Sequence, residues 1–225
     1  IKNRSYDVDL FISLYKEQAK LTMVQPKYTN SLCYYTNGYR DLTHLDTFNV
    51  DPTESKDFDD AISIDETENK IYVHIVDAHS QIEPSSEEDI NSLNKSFTLY
   101  LSEKITNILP DKMAENALSL KQGTPRKTIT VEYEIDPTTF EILNTYIYRG
   151  MIEVKTRHNY ETYMSELDPL LVGFCNHWKY NSLPLPNVIY NVDKETGELI
   201  ETQCVYNDDM AHKIIETLMI MTNLT

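Results

Sequence analysis

The sequence predicts an α+β fold in which a mixed or antiparallel sheet is flanked by helices. Short runs rich in β-branched residues occur in pairs separated by turn-forming residues, which is the pattern of antiparallel hairpins. Other segments repeat apolar residues every three or four positions, which is typical of amphipathic helices. The chain has 225 residues, of which 40% are hydrophobic and 25% charged. It is therefore long enough to bury a core and has the composition of a globular protein.

The first segment, residues 1–39, is interpreted as a lead-in to the main domain. Apolar residues across 9–21 predict a modest helix, and the stretch through Pro26 and Gly38 has the turn residues of a loop. The chain starts at Ile1 rather than at Met, so we expect a fragment or a processed product. The segment does not resemble a five-stranded OB barrel.

The central part of the chain contains two predicted hairpins and one predicted helix. Residues 61–64 and 71–76 predict two strands joined by an acidic turn. Residues 88–108 predict a helix because apolar positions recur at intervals of three and four. Residues 129–135 and 142–148 predict a second hairpin, with a turn that opens on an Asp-Pro-Thr-Thr sequence.

Two further helices are predicted towards the end of the chain. Residues 161–180 contain one around Met164–Val172, interrupted or started near Pro169. Residues 208–223 form the clearest helical pattern, with aspartates at the N-terminus, where carboxylates suit the helix dipole.

Several classes of protein are excluded by what the chain lacks. Its five glycines are too far apart to form a phosphate-binding loop, which excludes Walker A and dinucleotide-binding motifs. No apolar run reaches the 18–20 residues or so of a membrane helix, so no membrane partner is expected. Cys33, Cys175 and Cys204 form no C-x-x-C motif, which favours a reducing, cytoplasmic location. His74 and His79 have no partner cysteines nearby, so His74 is interpreted as structural.

The acidic residues are concentrated in one part of the chain. The net charge is −16, and residues 51–103 contain 14 Asp or Glu and three Lys, a net of −11. This excess argues against a general nucleic-acid coat protein. It leaves two interpretations, a solvated acidic surface and a set of carboxylates that converge on a metal ion.

Four aspartates favour the metal interpretation. Asp51, Asp57, Asp59 and Asp60 follow the pattern D-x5-D-x-D-D, and a turn at Pro52 could direct several of them to one point. Carboxylate oxygens suit Mg²⁺, and a divalent ion offsets their mutual repulsion. Ions held there could polarise a phosphodiester and activate water. An EF-hand calcium loop is disfavoured because the turn has no glycine. A plain acidic loop remains the alternative.

The residues around these aspartates resemble the catalytic RNB domain of the ribonuclease II family. The resemblance covers roughly residues 40–225, interpreted as a partial RNB domain that is truncated at its C-terminus. Six blocks occur in collinear order: R-D-L at 40–42 with D-P at 51–52 and K-D-F-D-D-A-I-S at 56–63; V-H-I-V-D at 73–77; F-T-L-Y-L at 97–101; L-P at 109–110 with L-S-L at 118–120 and Arg126; I-E-V-K at 152–155 with Tyr160; and A-H-K-I-I-E at 211–216 with Met219 and Asn223.

The resemblance implies a hydrolytic 3′→5′ exoribonuclease that releases nucleoside 5′-monophosphates from single-stranded RNA. It implies Mg²⁺ as the cofactor, with Mn²⁺ as a substitute, held by Asp51, Asp57 and Asp60. Asp59 would position the metal–water system or the leaving group. OB-type RNA-binding domains flank the domain in most family members.

The resemblance also implies RNA contacts outside the aspartates. Tyr100 matches the aromatic residue that stacks on the 3′-terminal nucleotide, and Tyr160 matches a second aromatic residue near the active site. Arg126, Lys155 and Arg157 are candidate phosphate contacts. Because the second half of the family domain lies outside this sequence, a degenerate, non-catalytic RNA-binding or scaffold module is the alternative function.

Overall fold

The computed structural model describes residues 32–100, 105–178, 187–193, 196, 199–205 and 209–225. The helix predicted over 9–21 lies outside these residues. The strands are β1 (Leu32–Asp41), β2 (Thr47–Val50), β3 (Asp60–Asp65), β4 (Lys70–Val76), β5 (Leu99–Tyr100), β6 (Ile105–Thr106), β7 (Pro125–Ile135), β8 (Ile142–His158), β9 (Asn187–Val192) and β10 (Leu199–Val205), and the helices are α1 (Glu87–Lys95), α2 (Tyr160–Tyr163), α3 (Pro169–His177) and α4 (Met210–Leu224).

The main sheet is mixed and closes on itself. Its strand order is β1-β8-β2-β3-β4-β7, and β7 pairs in addition with β8. β1 and β2 run parallel to β8, whereas the other neighbours are antiparallel. Strand β8 makes the closure possible because its 17 residues pair with β7 along its first part and with β2 along its last part. The mixed sheet flanked by helices agrees with the predicted fold class.

Both predicted hairpins are confirmed. β3 pairs with β4 from Asp60 opposite Ile75 to Asp65 opposite Lys70. β7 and β8 form the second hairpin, and both strands are longer than predicted. Asp136 stabilises its turn, since its Oδ1 accepts hydrogen bonds from the backbone N–H groups of Thr138 (2.8 Å) and Thr139 (3.0 Å).

Two predictions of local structure are wrong. The loop predicted through Pro26 and Gly38 is a strand from Leu32 onwards, and its turn residue Gly38 (φ 76°) lies at a shift in the β1–β8 register. The helix predicted over 88–108 ends at Lys95, because Ser96 adopts the left-handed conformation (φ 66°) and closes the last turn. The residues beyond it form the short β5–β6 hairpin instead.

The later helices begin at predicted positions. α3 starts at Pro169, and Asp168 caps it by accepting hydrogen bonds from the N–H groups of Leu170 and Leu171. Asp209 caps α4 in the same way through His212 N–H. Within the described ranges, no helix is long and apolar enough to cross a membrane.

The outer face of the sheet carries the main hydrophobic core. Alternate residues of β3, β4 and β7 point to this face and pack against α2, α3 and α4. The buried members of this cluster include Ile62, Ile71, Val73, Val131, Tyr133, Leu171, Phe174, Ile214 and Leu218.

The inner face of the closed sheet carries a chain of buried polar groups. His74 is fully buried and hydrogen-bonds Ser63 Oγ through Nε2 and Thr130 Oγ1 through Nδ1, both at 2.9 Å. Ser63 continues the chain to Thr47 on β2 (2.7 Å), and Thr130 continues it to Thr128 (3.1 Å). His74 therefore links the inner faces of neighbouring strands, which confirms its structural interpretation.

Candidate active site

The four aspartates lie on or beside the loop that joins β2 to β3, here called the aspartate loop (residues 51–60). The antiparallel pairing of these strands places the residue after Val50 opposite the residues that precede β3. The ends of the loop are fixed by the sheet, since Asp51 N–H donates to His158 O (3.2 Å) and Val76 N–H donates to Asp59 O (3.0 Å). Strand pairing therefore brings Asp51 back towards Asp59 and Asp60.

Burial and neighbouring carboxylates raise the pKa of three aspartates of the loop, Asp51, Asp59 and Asp60. Burial, followed by the charge of Asp60, raises the pKa of Asp51 to about 7. Burial and the charge of Asp59 raise the pKa of Asp60 to about 6. Burial and the charge of Asp57 likewise raise the pKa of Asp59. The four side chains therefore form one electrostatic cluster.

This cluster fits a hard divalent cation in its chemistry. It offers carboxylate oxygens whose ionisation is unfavourable without a nearby positive charge, and such oxygens are the ligands that Mg²⁺ prefers. Among the described residues, however, no three His, Cys, Asp or Glu side chains are arranged to hold one ion. The structure thus brings the predicted aspartates together without presenting a finished coordination shell.

Arg157, near the end of β8, anchors the aspartate loop. Its Nη2 donates hydrogen bonds to the backbone oxygens of Thr53 (3.2 Å) and Ser55 (3.3 Å). Its guanidinium group also lies 4.5 Å from the centre of the Phe58 ring. The positive charge of Arg157 opposes the rise in the pKa of Asp51. This predicted phosphate contact is therefore engaged in holding the loop.

A second anchor comes from the segment before β7. Ser119 Oγ accepts a hydrogen bond from Phe58 N–H (3.1 Å) and donates one to Lys56 O (3.3 Å). Arg126 fixes this segment by donating to the backbone oxygens of Ser119 (3.0 Å) and Asn116 (3.1 Å). The guanidinium group of Arg126 thus binds protein carbonyls, whereas Lys155 is exposed and pairs with Glu153 (2.9 Å).

A groove of about 410 Å³ is lined in part by residues of the aspartate loop. Lys56, Lys121 and Arg157 line it together with Phe58, and Glu115 is the acidic residue among its lining. In a chain with a net charge of −16, this local excess of positive charge marks a surface that can accept phosphate groups.

Tyr160 lies beside the aspartates, on the first turn of α2. Burial and the charges of Asp51 and Asp60 raise the pKa of its hydroxyl to about 12. Its ring stacks on His212 of α4, with ring centres 3.7 Å apart and an interplanar angle of 6°. His212 is held in turn by Nδ1, which lies 2.6 Å from Asp209 Oδ2.

Other site residues were placed differently or were missed. Tyr100 lies in β5 rather than in a helix, and its side chain is outside the described part of the chain. The anchoring roles of Ser119 and Arg157, and the stacking of His212 on Tyr160, were not predicted. Ser119 and His212 lie within the blocks of the family resemblance, which is the signal that could have identified them.

Comparison with known proteins identifies the family of the chain and finds relatives that are named as ribonucleases. The sequence model of the RNB domain matches residues 39–169, a range that includes all four aspartates. Ribonuclease R of Aquifex aeolicus is 30% identical over 213 residues, covering 83% of this chain and 30% of that protein. Exoribonuclease 2 of Buchnera aphidicola is 29% identical over 226 residues, covering 88% of this chain and 35% of that protein. The chain thus spans about a third of the length of these relatives.

Solved structures show the same fold. RNase R of Mycoplasma genitalium, in complex with ribose-methylated single-stranded RNA, superposes with a TM-score of 0.74 at 22% identity. The match covers 99% of this chain and 36% of that one. Yeast Ssd1, described as a pseudonuclease, matches with a TM-score of 0.55 at 19% identity over 65% of this chain and 20% of its own.

Proposed function

The chain belongs to the RNB domain family, and from this premise we propose that it acts in the 3′→5′ hydrolysis of single-stranded RNA to nucleoside 5′-monophosphates. The observation that carries the proposal is the aspartate loop, in which four carboxylates share one electrostatic cluster. The names of its relatives, Ribonuclease R and Exoribonuclease 2, support the same reaction.

We assign the metal ligands to Asp51, Asp57 and Asp60, and Mg²⁺ to the site, with Mn²⁺ as a substitute. The ion supplies Lewis-acid polarisation of the phosphodiester and neutralises charge in the transition state. Arg157 holds the loop that carries these ligands, so that they need not be reorganised at each turnover.

Asp59 is assigned to position the attacking water or the leaving group. In the reaction the water oxygen bonds to phosphorus and the P–O3′ bond breaks. The phosphate stays on the 5′ oxygen of the released nucleotide, and the shortened RNA gains a 3′ hydroxyl after taking up a proton. Although neighbouring groups crowd its carboxylate and raise its pKa, the Asp59 residue keeps an exposed surface, which suits a group that meets substrate and water.

Tyr160 and His212 are assigned to the 3′ end of the RNA. Their stacked rings lie beside the aspartates, and stacking on an aromatic face is worth about 1–3 kcal/mol per base whatever the sequence. Tyr100 keeps its proposed role in stacking on the terminal nucleotide. Lys56 and Lys121, which line the groove, are assigned to the RNA backbone, and exposed Lys155 remains a proposed phosphate contact.

The experiment that tests the proposal uses single-stranded RNA labelled at its 3′ or its 5′ end. We expect mononucleotides to appear at once from the 3′ label with Mg²⁺ and not with EDTA, while the 5′-labelled RNA shortens progressively. Because the chain spans about a third of its relatives, the assay is run on this chain and on the longest version of the protein. Products that begin as internal fragments would contradict the exonuclease assignment.

The substitution Asp59→Asn tests the catalytic assignment directly. We expect it to lower the hydrolysis rate by about a hundredfold or more and to leave RNA affinity nearly unchanged, because it removes a charge without removing the stacking contacts. Glu54→Gln removes a charge from the same loop outside the proposed ligand set and is the matched control. Equal turnover by the two variants would refute the role of Asp59.

The second candidate function is a non-catalytic RNA-binding or scaffold module. The structural match to Ssd1 supports this candidate, because it shows that the fold also occurs in a protein described as a pseudonuclease. RNA binding without Mg²⁺-dependent cleavage by the longest version of the protein would favour this function over the first.

A further inference from the structure

A second acidic cavity lies at the opposite end of β2 and β3 from the aspartate loop. This acidic pocket has a volume of about 230 Å³ and is rimmed by the carboxylates of Asp46, Glu66, Glu166 and Asp168. Asp46 precedes β2 and Asp51 follows it, so these two residues are about 16 Å apart at roughly 3.3 Å per strand residue, although His158 lines the pocket and its carbonyl oxygen accepts a hydrogen bond from Asp51 N–H.

The four rim carboxylates have no cationic partner within the described ranges. None of the ion pairs formed there by Lys, Arg or His involves them. Asp168 uses Oδ1 to cap α3, but a carboxylate has further acceptor positions. This concentration of negative charge repels phosphate and attracts a cation, which separates the pocket from the proposed RNA surface.

The floor of the acidic pocket is aromatic. The rings of Phe48, His158 and Tyr163 contact one another, with centres 5.3 Å apart for Phe48 and Tyr163, 5.8 Å for Phe48 and His158, and 5.6 Å for His158 and Tyr163. Aromatic faces attract ammonium groups, most strongly where solvent is excluded. An aromatic floor combined with carboxylates at the rim is suited to an organic cation.

An independent observation at the same place also indicates a ligand. The Tyr163 side chain is only 2% exposed, and its hydroxyl oxygen is buried without a hydrogen-bond partner. Burial and the charge of Asp168 raise the pKa of this hydroxyl, and both residues line the pocket. A turn of the Tyr163 ring towards the pocket on binding would let an ammonium N–H group donate to this oxygen and supply the missing partner.

The residues that line the pocket and its volume favour one class of cation over others. Its aromatic lining favours an ammonium group, which aromatic faces bind, over a metal ion that needs several oxygen ligands at fixed positions. Its volume lies below the roughly 300 Å³ at which sites for drug-sized ligands begin, so a slender group fits best. We propose that the acidic pocket binds an alkylammonium group, from a free polyamine or from the lysine side chain of a polypeptide.

Calorimetric titration with spermidine, and separately with Nα-acetyl-lysine methylamide, tests the proposal. Saturating Mg²⁺ is present in both titrations to occupy the aspartate loop. We expect one saturable site for each probe, and a stronger response to one of them identifies the source. Absence of binding by both probes would overturn the proposal.

Charge-neutral variants locate the site. Asp46→Asn combined with Glu66→Gln should weaken spermidine binding about tenfold or more, because half of the rim charge is lost. Glu83→Gln combined with Glu141→Gln removes the same charge from exposed positions elsewhere and should leave binding within about twofold. Asp51→Asn combined with Asp60→Asn should also retain binding. Loss in either of these two double variants, or none in the rim variant, would overturn the location.

Tyr163→Phe separates a ligand contact from a structural hydroxyl. Because the hydroxyl has no partner in the free protein, its removal should not lower the unfolding temperature, yet it should weaken spermidine binding about threefold or more. A variant that unfolds at lower temperature and binds spermidine normally would show that the hydroxyl serves the fold alone.

Discussion

Asp51 is a residue whose charge the fold opposes, with a pKa raised to about 7 by burial and by Asp60. Its unfolded pKa is about 3.9, so the folded state binds the proton more tightly, and stability is lost as pH rises from about 4 to 7. We expect Asp51→Asn to increase the free energy of unfolding at about pH 8 without metal. The gain should be about 1–2 kcal/mol, since solvent screens a partly exposed carboxylate. Urea unfolding in EDTA measures it.

Mg²⁺ should reproduce much of this gain in the unsubstituted protein, because a bound cation favours the ionised carboxylates. It should stabilise Asp51→Asn much less. Glu54→Gln, in the same loop, is the control and should behave like the unsubstituted protein in both conditions. Unfolding free energies for Asp51→Asn that are no higher than those of this control in EDTA would contradict the argument.

Arg157 is a positioning residue, since it touches the loop backbone rather than the reacting atoms. Lysine keeps the charge but cannot reproduce the planar group that donates to two carbonyls and covers Phe58. We expect Arg157→Lys to lower kcat for RNA hydrolysis about tenfold or more with a smaller change in KM, because displaced ligands cost catalysis more than binding. The Mg²⁺ affinity should fall as well. Arg149→Lys, on the same strand, is the control because Arg149 contacts Asp77 and Tyr39 rather than the aspartate loop, and an equal loss of kcat there would refute the anchoring role.

At the scale of elements, α3 packs closely against the turn between β7 and β8. A Cβ atom at Gly173 would overlap the ring of Phe140, whose carbonyl oxygen accepts a hydrogen bond from Trp178 Nε1 (2.9 Å). In the middle of a helix, alanine normally raises the free energy of unfolding by about 0.5–1 kcal/mol relative to glycine, whereas an overpacked side chain lowers it by about 1–3 kcal/mol. We therefore expect Gly173→Ala to destabilise the protein by about 1–2 kcal/mol in urea unfolding.

Phe140→Leu provides the matched background for this prediction. With the ring removed, Gly173→Ala should become neutral or stabilising, because only the helix preference remains. The same loss of stability in both backgrounds would show that contact with Phe140 is not the cause.

The elements that local chemistry dictates are the ones the sequence predicts. The β3–β4 and β7–β8 hairpins follow from alternation and a turn, and α4 follows from its apolar line and its cap at Asp209. The end of α1 could not be predicted, because apolar spacing continues through Phe97 while the left-handed turn at Ser96 breaks the helix. β1 was missed because its pairing with β8 is remote in sequence.

The same division applies to the candidate site. The spacing of the four aspartates is a local signal and was sufficient to identify the acidic cluster. Arg157 and His212 act through contacts with residues about 50 to 100 positions away in the chain, the Thr53 carbonyl and the Tyr160 ring. Only the closed sheet brings β8 alongside the aspartate loop, and closure depends on long-range pairing that periodicity does not encode.

For the whole molecule, closure of the sheet buries a second titrating group whose effect opposes that of the aspartates. Burial lowers the pKa of His74 to about 3. Since the unfolded histidine titrates near 6.5, stability from this residue is lost as pH falls from about 6.5 to 3. The raised pKa values of Asp51 and Asp60 act in the other direction between about pH 4 and 7.

Two carboxylates oppose one histidine, so the stability of the metal-free protein should fall as pH rises from about 4.5 to 6.5, less steeply than the aspartates alone would dictate. Saturating Mg²⁺, or the pair Asp51→Asn and Asp60→Asn in EDTA, removes the aspartate contribution and should leave stability rising with pH over this interval, as His74 alone dictates. Urea midpoints at about pH 4.5, 5.5 and 6.5 measure the slope. Both interventions act on the aspartates, and neither changes His74. Equal positive slopes of stability against pH after the two interventions would assign the remaining pH dependence to His74 on the inner face of the sheet. A slope equal to that of the metal-free protein would show that the aspartate loop does not contribute to the pH dependence.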